Sequence, residues 1–235
     1  MTTMIELYRF LDAGKVGLSR QYTFTLHSGE TRLLQLMDRD EKNEFIDLAV
    51  GDKICDEGSI EIIQGERRSG EPAGNNSKQE RRQSKDSSPM EWQSLQSSRL
   101  GRVGWVAANG GLISNLKIWE NVTLPLWYHT KRDAVETENN VEYWLTLLGL
   151  EAAAFVDFMA APPYSVEPWQ SKLAGLLRAL VQMPRVLIVD AGVFEDVKAN
   201  LAKSWISALE VYAAQGRAVL VLSDKATVLP WQKIE

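Results

Sequence analysis

Residues Leu176–Gly192 read LLRALVQMPRVLIVDAG, and this stretch decides the fold class. Its first half continues a helical pattern that the spacing of apolar residues predicts over Glu167–Gln182. Pro184 breaks the chain. Val186–Asp190 then follows as an almost wholly apolar strand. Strands of that kind lie inside parallel sheets with both faces covered. Working outward, a helix with Leu201, Trp205 and Leu209 four residues apart ends at Gly216, and Ala218–Leu222 is a second apolar strand. Upstream, a helix is expected from about Ala134 to Leu148, and Val103–Val106 reads as a strand. Strands alternating with helices predict a layered α/β domain with a mainly parallel sheet.

The N-terminal third has a different texture. Ile5–Phe10, Tyr22–Leu26, Thr31–Met37 and Ser59–Ile63 are short β-prone runs separated by turn residues. One helix is expected among them, from Lys42 to about Val50, with Phe45, Ile46, Leu48 and Ala49 on one face and Gly51 as its stop. Between Glu66 and Pro89 the sole apolar residue is Ala73. Such a segment cannot bury enough surface to offset its ordering entropy, so a flexible insertion is expected there.

Bulk composition narrows the function classes. The 235 residues suit one large α/β domain. With 26 basic and 31 acidic side chains the net charge is −5, which argues against nucleic acid as a partner. Cys55 is the single cysteine, so an internal disulfide is impossible and a reducing compartment fits. With His27 and His129 as the two histidines, no metal centre is expected. No apolar run reaches the length needed to span a bilayer, and the N-terminus does not read as a secretory signal. The expectation is a cytoplasmic protein that meets a membrane through a partner.

Several individually weak motifs occur in a fixed order. They are KNEFIDLAVG from Lys42, DEGSIEIIQG from Asp56, VGWVAANGGLISNLKIWENVTLPL from Val103, and the stretch quoted first. Together they resemble the ATP-binding subunit of ABC transporters, from about Ile5 to Asp224. The wording NGGLISNL with ENVTLPL is most similar to the Mla-type phospholipid-transport ATPases, also described as organic-solvent-tolerance transporters. The resemblance implies a P-loop NTPase-like fold with an antiparallel N-terminal β part and a helical subdomain. It divides the chain into a core (about 1–65, 101–111 and 184–235), a helical subdomain (about 112–183) and the insertion at 66–89.

The same alignment shows what is missing. A P-loop reads Gly-x-x-x-x-Gly-Lys-Ser/Thr, where glycines let backbone amides close on phosphate and the hydroxyl binds magnesium. Here Leu36 and Glu41 stand for the glycines, Arg39 for a further glycine, and Asn43 for the hydroxyl. Lys42 remains, and a lone lysine in a first helical turn reads first as a surface residue. Asp38, Asp40 and Glu41 place up to three carboxylates where a polyphosphate would lie. Acids also favour helix N-termini, so Asp38 with Glu41 has the spacing of a capping box and Asp40 is the rival cap. These carboxylates could take the place of phosphate.

The remaining family positions follow the same trend. The Walker B strand ends at Asp190, which reads equally as a polar strand end or a magnesium ligand. Ala191 replaces the glutamate that activates water, Ala108 the Q-loop glutamine, and Ser223 the switch histidine. The signature becomes Val166-Glu167-Pro168-Trp169-Gln170, in which Gln170 alone matches. Lys42, Asn43, Asp190 and Gln170 are therefore vestigial nucleotide positions. No catalytic residue and no cofactor are expected, with ATP and Mg bound weakly at most. In the family two subunits sandwich ATP between one P-loop and the other signature, so these losses would disable both sites of a pair. Leu112, Ile113, Leu124, Leu126, Trp127 and Tyr128 fall where the family meets its membrane subunit. They read as a permease contact or as subdomain packing. The expected partners are an ABC permease, another ABC ATPase subunit or a second copy of this chain. A working ATPase with non-standard residues and a soluble interaction module both stay open.

Overall fold

The computed structural model describes residues 5–16, 18–64, 91–95, 103–129, 133–226 and 229–234. The insertion expected at 66–89 lies outside them. The fold begins with β1 (Glu6–Gly14), β2 (Tyr22–His27) and β3 (Thr31–Gln35), followed by helix α1 (Arg39–Ala49). Then come β4 (Glu57–Gln64), β5 (Glu91–Ser94) and β6 (Val103–Val106). Helices α2 (Ile118–His129), α3 (Ala134–Leu147), α4 (Phe155–Ala160) and α5 (Pro168–Gln182) lead to β7 (Val186–Asp190). Helix α6 (Ala199–Ala214), β8 (Ala218–Ser223) and β9 (Gln232–Ile234) complete the chain.

The strands form two sheets. Antiparallel pairs join β2-β1-β4-β5, and β6-β7-β8-β3-β9 form a parallel sheet. Every residue of β7 and β8 is buried, because both faces of the parallel sheet are covered. Side chains alternate between two cores as the pleat requires. Leu187, Val189, Val219 and Val221 pack with the helices around Trp144, Leu177 and Leu209. Val186, Ile188, Leu220 and Leu222 pack with Phe45 and Leu48 of α1 and with the antiparallel sheet through Phe10 and Ile62. The apolar strands thus face two different layers, and α1 sits between the parallel sheet and the N-terminal β part.

The expected α/β class, with its parallel sheet, antiparallel β part and helices, is the architecture observed. Four elements differ from the sequence reading. Helix α2 occupies part of the stretch read as loop, since Pro125 inside it masked the pattern. Its start is fixed by a buried side chain instead. The Asn121 amide donates to the carbonyls of Ile113, Leu116 and Lys117 at 3.0–3.1 Å, and its Oδ1 accepts from the Ile113 N–H at 2.7 Å. The short elements β5, α4 and β9 carry too few residues for a period to show.

Candidate functional site

The loop from Leu36 to Glu41 joins β3 to α1 at the end of the parallel sheet where β7 and β8 also finish. Asp38 is the N-cap of α1, and its Oδ1 accepts from the Glu41 N–H at 2.8 Å. Asp40, the rival cap, is exposed. Glu41 turns back into the protein and is 3% exposed. One of its oxygens accepts from the Met37 N–H at 2.5 Å. The other accepts from the Tyr22 hydroxyl at 2.9 Å, the Ser19 N–H at 3.2 Å and the Ser19 hydroxyl. Burial works to raise the Glu41 carboxyl, but these donors outweigh it and hold the group below its usual value. Burial and then the neighbouring Glu41 push the Tyr22 phenol up. The amides of Met37, Glu41 and Lys42 all have intramolecular acceptors, the last in the Asp38 carbonyl at 3.1 Å.

Lys42 departs from the surface position its isolation in sequence suggested. It is 8% exposed and points under the loop. Its ammonium lies 3.1 Å from Asp190 Oδ2, 3.2 Å from Asp190 Oδ1 and 3.0 Å from Asp224 Oδ1. Topology brings these groups together. Asp190 is the last residue of β7, Asp224 follows the last residue of the adjacent parallel strand β8, and β8 pairs with β3, which delivers the loop. Asp190 Oδ1 also accepts from the Gly192 N–H at 2.9 Å. Burial opposes ionisation of Asp224, but the Lys42 hydrogen bond outweighs it and keeps that carboxyl below its ordinary value. A buried lysine with carboxylate partners is the form in which a buried cation is tolerated.

The other sequence candidates are distributed around this centre. Asn43 is exposed. Ala191 is buried beside Asp190, and a side chain on Gly192 would meet the methyl of Ala108 at 2.8 Å, so Ala108 does lie against this corner. Ser223 is buried, and its hydroxyl donates to the Lys225 carbonyl at 2.8 Å. Gln170 belongs to a different helix end. Its Oε1 accepts from the Glu167 N–H at 2.9 Å across the start of α5, Pro168 is the first helical residue, and the Trp169 indole donates to Glu167 at 2.5 Å. Among the proposed permease contacts, Ile113 and Trp127 are exposed, at 44% and 60%. Leu112 and Leu124 are half-buried, with Leu112 against the helical core. Leu126 faces that core at 2% exposure, the subdomain-packing alternative for this residue. Tyr128 lies in α2.

Three functional participants were missed from sequence. Ser19 and Tyr22 reach Glu41 across about twenty residues of chain with no motif to announce them. Asp224 had a signal: it lies just past an apolar strand, as Asp190 ends one. The Gly110–Gly111 loop is also held. A side chain at Gly110 (φ +85°) would strike the Ser171 carbonyl at 2.1 Å, and Arg178 donates to the carbonyls of Gly110 and Gly111 at 3.2 and 2.9 Å. A cavity of about 180 Å³ at the far end of α1, lined by Leu48, Cys55, Ile60 and Leu95, is remote from this centre.

Comparison with solved structures supplies the decisive likeness. The ATP-binding cassette MJ0796, solved as a dimer in a post-hydrolysis state with ADP and Pi, matches with a TM-score of 0.65 at 18% identity, over 94% of this chain and 88% of that one. By fold, the chain is similar to ABC ATP-binding cassettes. An ATP-binding subunit of an ABC transporter matches the chain with a TM-score of 0.66 at 17% identity, over 94% of this chain and 79% of the other. The cbiO1 protein of Clostridium perfringens, part of the transporter complex cbiONQ, matches at 0.64 and 14%, over 94% and 79%. In sequence, the methionine import ATP-binding protein MetN 1 of Acinetobacter baylyi is 34% identical over 89 residues, 38% of this chain. The match spans 23% of that relative's length. No protein-family model matches the chain.

Among the described residues, no helix is long and apolar enough to cross a membrane, and no cluster of three or more His, Cys, Asp or Glu is arranged to hold a metal ion. The residues do not fit a magnesium nucleotide. Asp190 and Asp224 hold a lysine, Asn43 faces outward, and the amides of Met37, Glu41 and Lys42 are taken by the protein's own carboxylates and carbonyl.

Proposed function

We propose that this cassette is an ABC-type subunit without ATPase activity, acting as a structural or regulatory component through contact with a membrane permease or another ABC subunit. The observation that carries this reading is Lys42 held between Asp190 and Asp224. A lysine so placed cannot reach a phosphate unless a buried and a half-buried carboxylate lose their counter-charge. Hydrolysis would further require a base to activate water, and Ala191 offers none. The cassette fold supports a transporter context, and the sequence likeness to Mla-type ATPases favours lipid among the cargo classes. In that context the subunit would sit at the cytoplasmic face of the membrane, held there by its partner. Among the described side chains of the expected contact, Ile113 and Trp127 are exposed for a permease to reach.

Isothermal titration of the full chain with Mg-ATP tests the reading. No binding heat at micromolar concentrations is expected. Micromolar binding that Lys42→Ala abolishes would sink it and favour a working ATPase with unusual residues. Purification from detergent-solubilised membranes separates a transporter subunit from a free-standing module: a permease that co-purifies is expected.

A further inference from the structure

We propose that Ser19, Tyr22 and the Met37 amide form an oxyanion site that the protein fills with its own Glu41 carboxylate. The donors come from three segments: the chain before β2, β2 itself and the β3–α1 loop. The Met37 N–H lies 2.5 Å from one Glu41 oxygen. The Ser19 N–H at 3.2 Å, the Ser19 hydroxyl and the Tyr22 hydroxyl at 2.9 Å converge on the other. Two backbone amides and two hydroxyls around one small anion make a site shaped for a carboxylate or a phosphate, since charge-assisted donors favour an ionised acceptor. The occupant is 3% exposed, so this is an interior ligand rather than a surface cap.

An ordinary capping box returns its N3 carboxylate to the N-cap amide. Here Asp38 is the N-cap, yet Glu41 passes over the Asp38 amide to that of Met37 and continues to Ser19 and Tyr22. The carboxylate therefore ties the helix start to the antiparallel sheet as well as capping it. Tyr22 is in turn positioned edge-on to Phe45 of α1, with ring centroids 4.8 Å apart, and Arg20 lies over its outer face at 5.2 Å. The inference rests on the reading that no nucleotide phosphate uses this loop, and it adds what occupies the loop instead: a tethered anion that closes the segment without a ligand.

Removing the tethered anion while keeping its donors tests the site. Glu41→Ala in the full chain is expected to melt at a lower temperature than the parent. Sodium acetate or inorganic phosphate, at concentrations several-fold above Kd, should raise its Tm by about 2–4 °C beyond chloride of equal ionic strength. The parent should respond no more to these anions than to chloride, and Glu41→Ala with Tyr22→Phe should lose the recovery. A Glu41→Ala protein that answers acetate and phosphate no better than chloride overturns the proposal. If that variant does not fold, carbon NMR of the parent decides: Glu41 should titrate below an ordinary glutamate and move up in Tyr22→Phe. Ordinary titration, or no change in Tyr22→Phe, overturns it equally. Mg-ATP binding to the parent would sink the proposed function while leaving the anion response to be read separately.

Discussion

Replacing Lys42 with alanine should destabilise this protein strongly, whereas the same change in a nucleotide-dependent cassette would chiefly remove ligand binding. The side chain is 10% exposed and its partners Asp190 and Asp224 are 9% and 14% exposed, all within 3.2 Å of the ammonium. Alanine leaves the buried Asp190 and the half-buried Asp224 without this cation. Removing one partner of a buried ion pair costs about 3–5 kcal/mol, and the partial solvent access of Asp224 favours the lower end. Against a total stability of about 5–15 kcal/mol that is a large fraction. In a chain of this size it should lower Tm by about 6–12 °C, taking ~3 kcal/mol at 2–4 °C per kcal/mol. Urea denaturation followed by tryptophan fluorescence, with no nucleotide present, measures it directly.

Two controls isolate the cause. Lys53→Ala removes the surface lysine between Glu44 and Asp47 and should leave the midpoint unchanged, since exposed pairs contribute little. Lys42→Met with Asp190→Asn and Asp224→Asn removes the charges together, and it should recover much of the loss because no uncompensated carboxylate remains. A Lys42→Ala protein with the parent's urea midpoint would refute the reasoning, because the lysine would then be dispensable to the fold and free for another role.

Three further outcomes follow from the same structure. Stability should fall with acid through the folded-state values of Glu41 and Asp224. Both carboxyls are held below their ordinary values, so the unfolded chain binds more protons as pH drops below about 4.5 and the native state loses their contribution; in Lys42→Ala the Asp224 share of that slope should vanish. Asn121→Ala should cost about 2–3 kcal/mol in urea denaturation, since it leaves the Ile113 amide and the Leu116 carbonyl without that buried partner, while the Ile113 and Lys117 carbonyls keep backbone donors. Leu126→Ala should cost about 2–5 kcal/mol through a core cavity, while Trp127→Ala should leave the urea midpoint intact and weaken recovery of the chain with permease-containing membranes.

How much of this was legible in the sequence depended on whether the signal was local. Val186–Asp190 and Ala218–Leu222 are apolar throughout, a pattern buried parallel strands produce, and both were placed nearly to the residue. The face of α1 was likewise readable from Phe45, Ile46, Leu48 and Ala49. Helix α2 was not, because Pro125 contradicts a helix locally while Asn121 and the packing of Val122 and Leu126 enforce one from outside the pattern. At the site, Asp38 and Glu41 carried their spacing openly, but the direction in which Glu41 points is set by Ser19 and Tyr22, on another strand pair. Lys42 was misplaced for the same reason. Its burial follows from Asp190 and Asp224, and their meeting is a property of strand order.

Phosphate sites in P-loop folds work because glycines leave amides and space that only a ligand satisfies. In this chain several of the corresponding groups already have an internal partner. The Met37 and Glu41 amides face carboxylates, Lys42 faces Asp190 and Asp224, the Gly192 amide faces Asp190, and the Glu167 amide at the start of α5 faces Gln170. These partners are coupled through shared residues: Glu41 adjoins Lys42, and Asp190 serves both Lys42 and Gly192. Restoring one position would therefore strand a buried donor or acceptor at another, at about 1–3 kcal/mol for each neutral group and more for each charge. Glu41→Gly alone would free the Met37 amide and the Tyr22 and Ser19 hydroxyls, yet Lys42 would stay with its two aspartates. On the proposed reading, nucleotide binding would require several simultaneous changes, with intermediates less stable than the present chain. On the proposed reading, this interlocking gives a physical reason for an ABC cassette fold to persist without ATP at its centre.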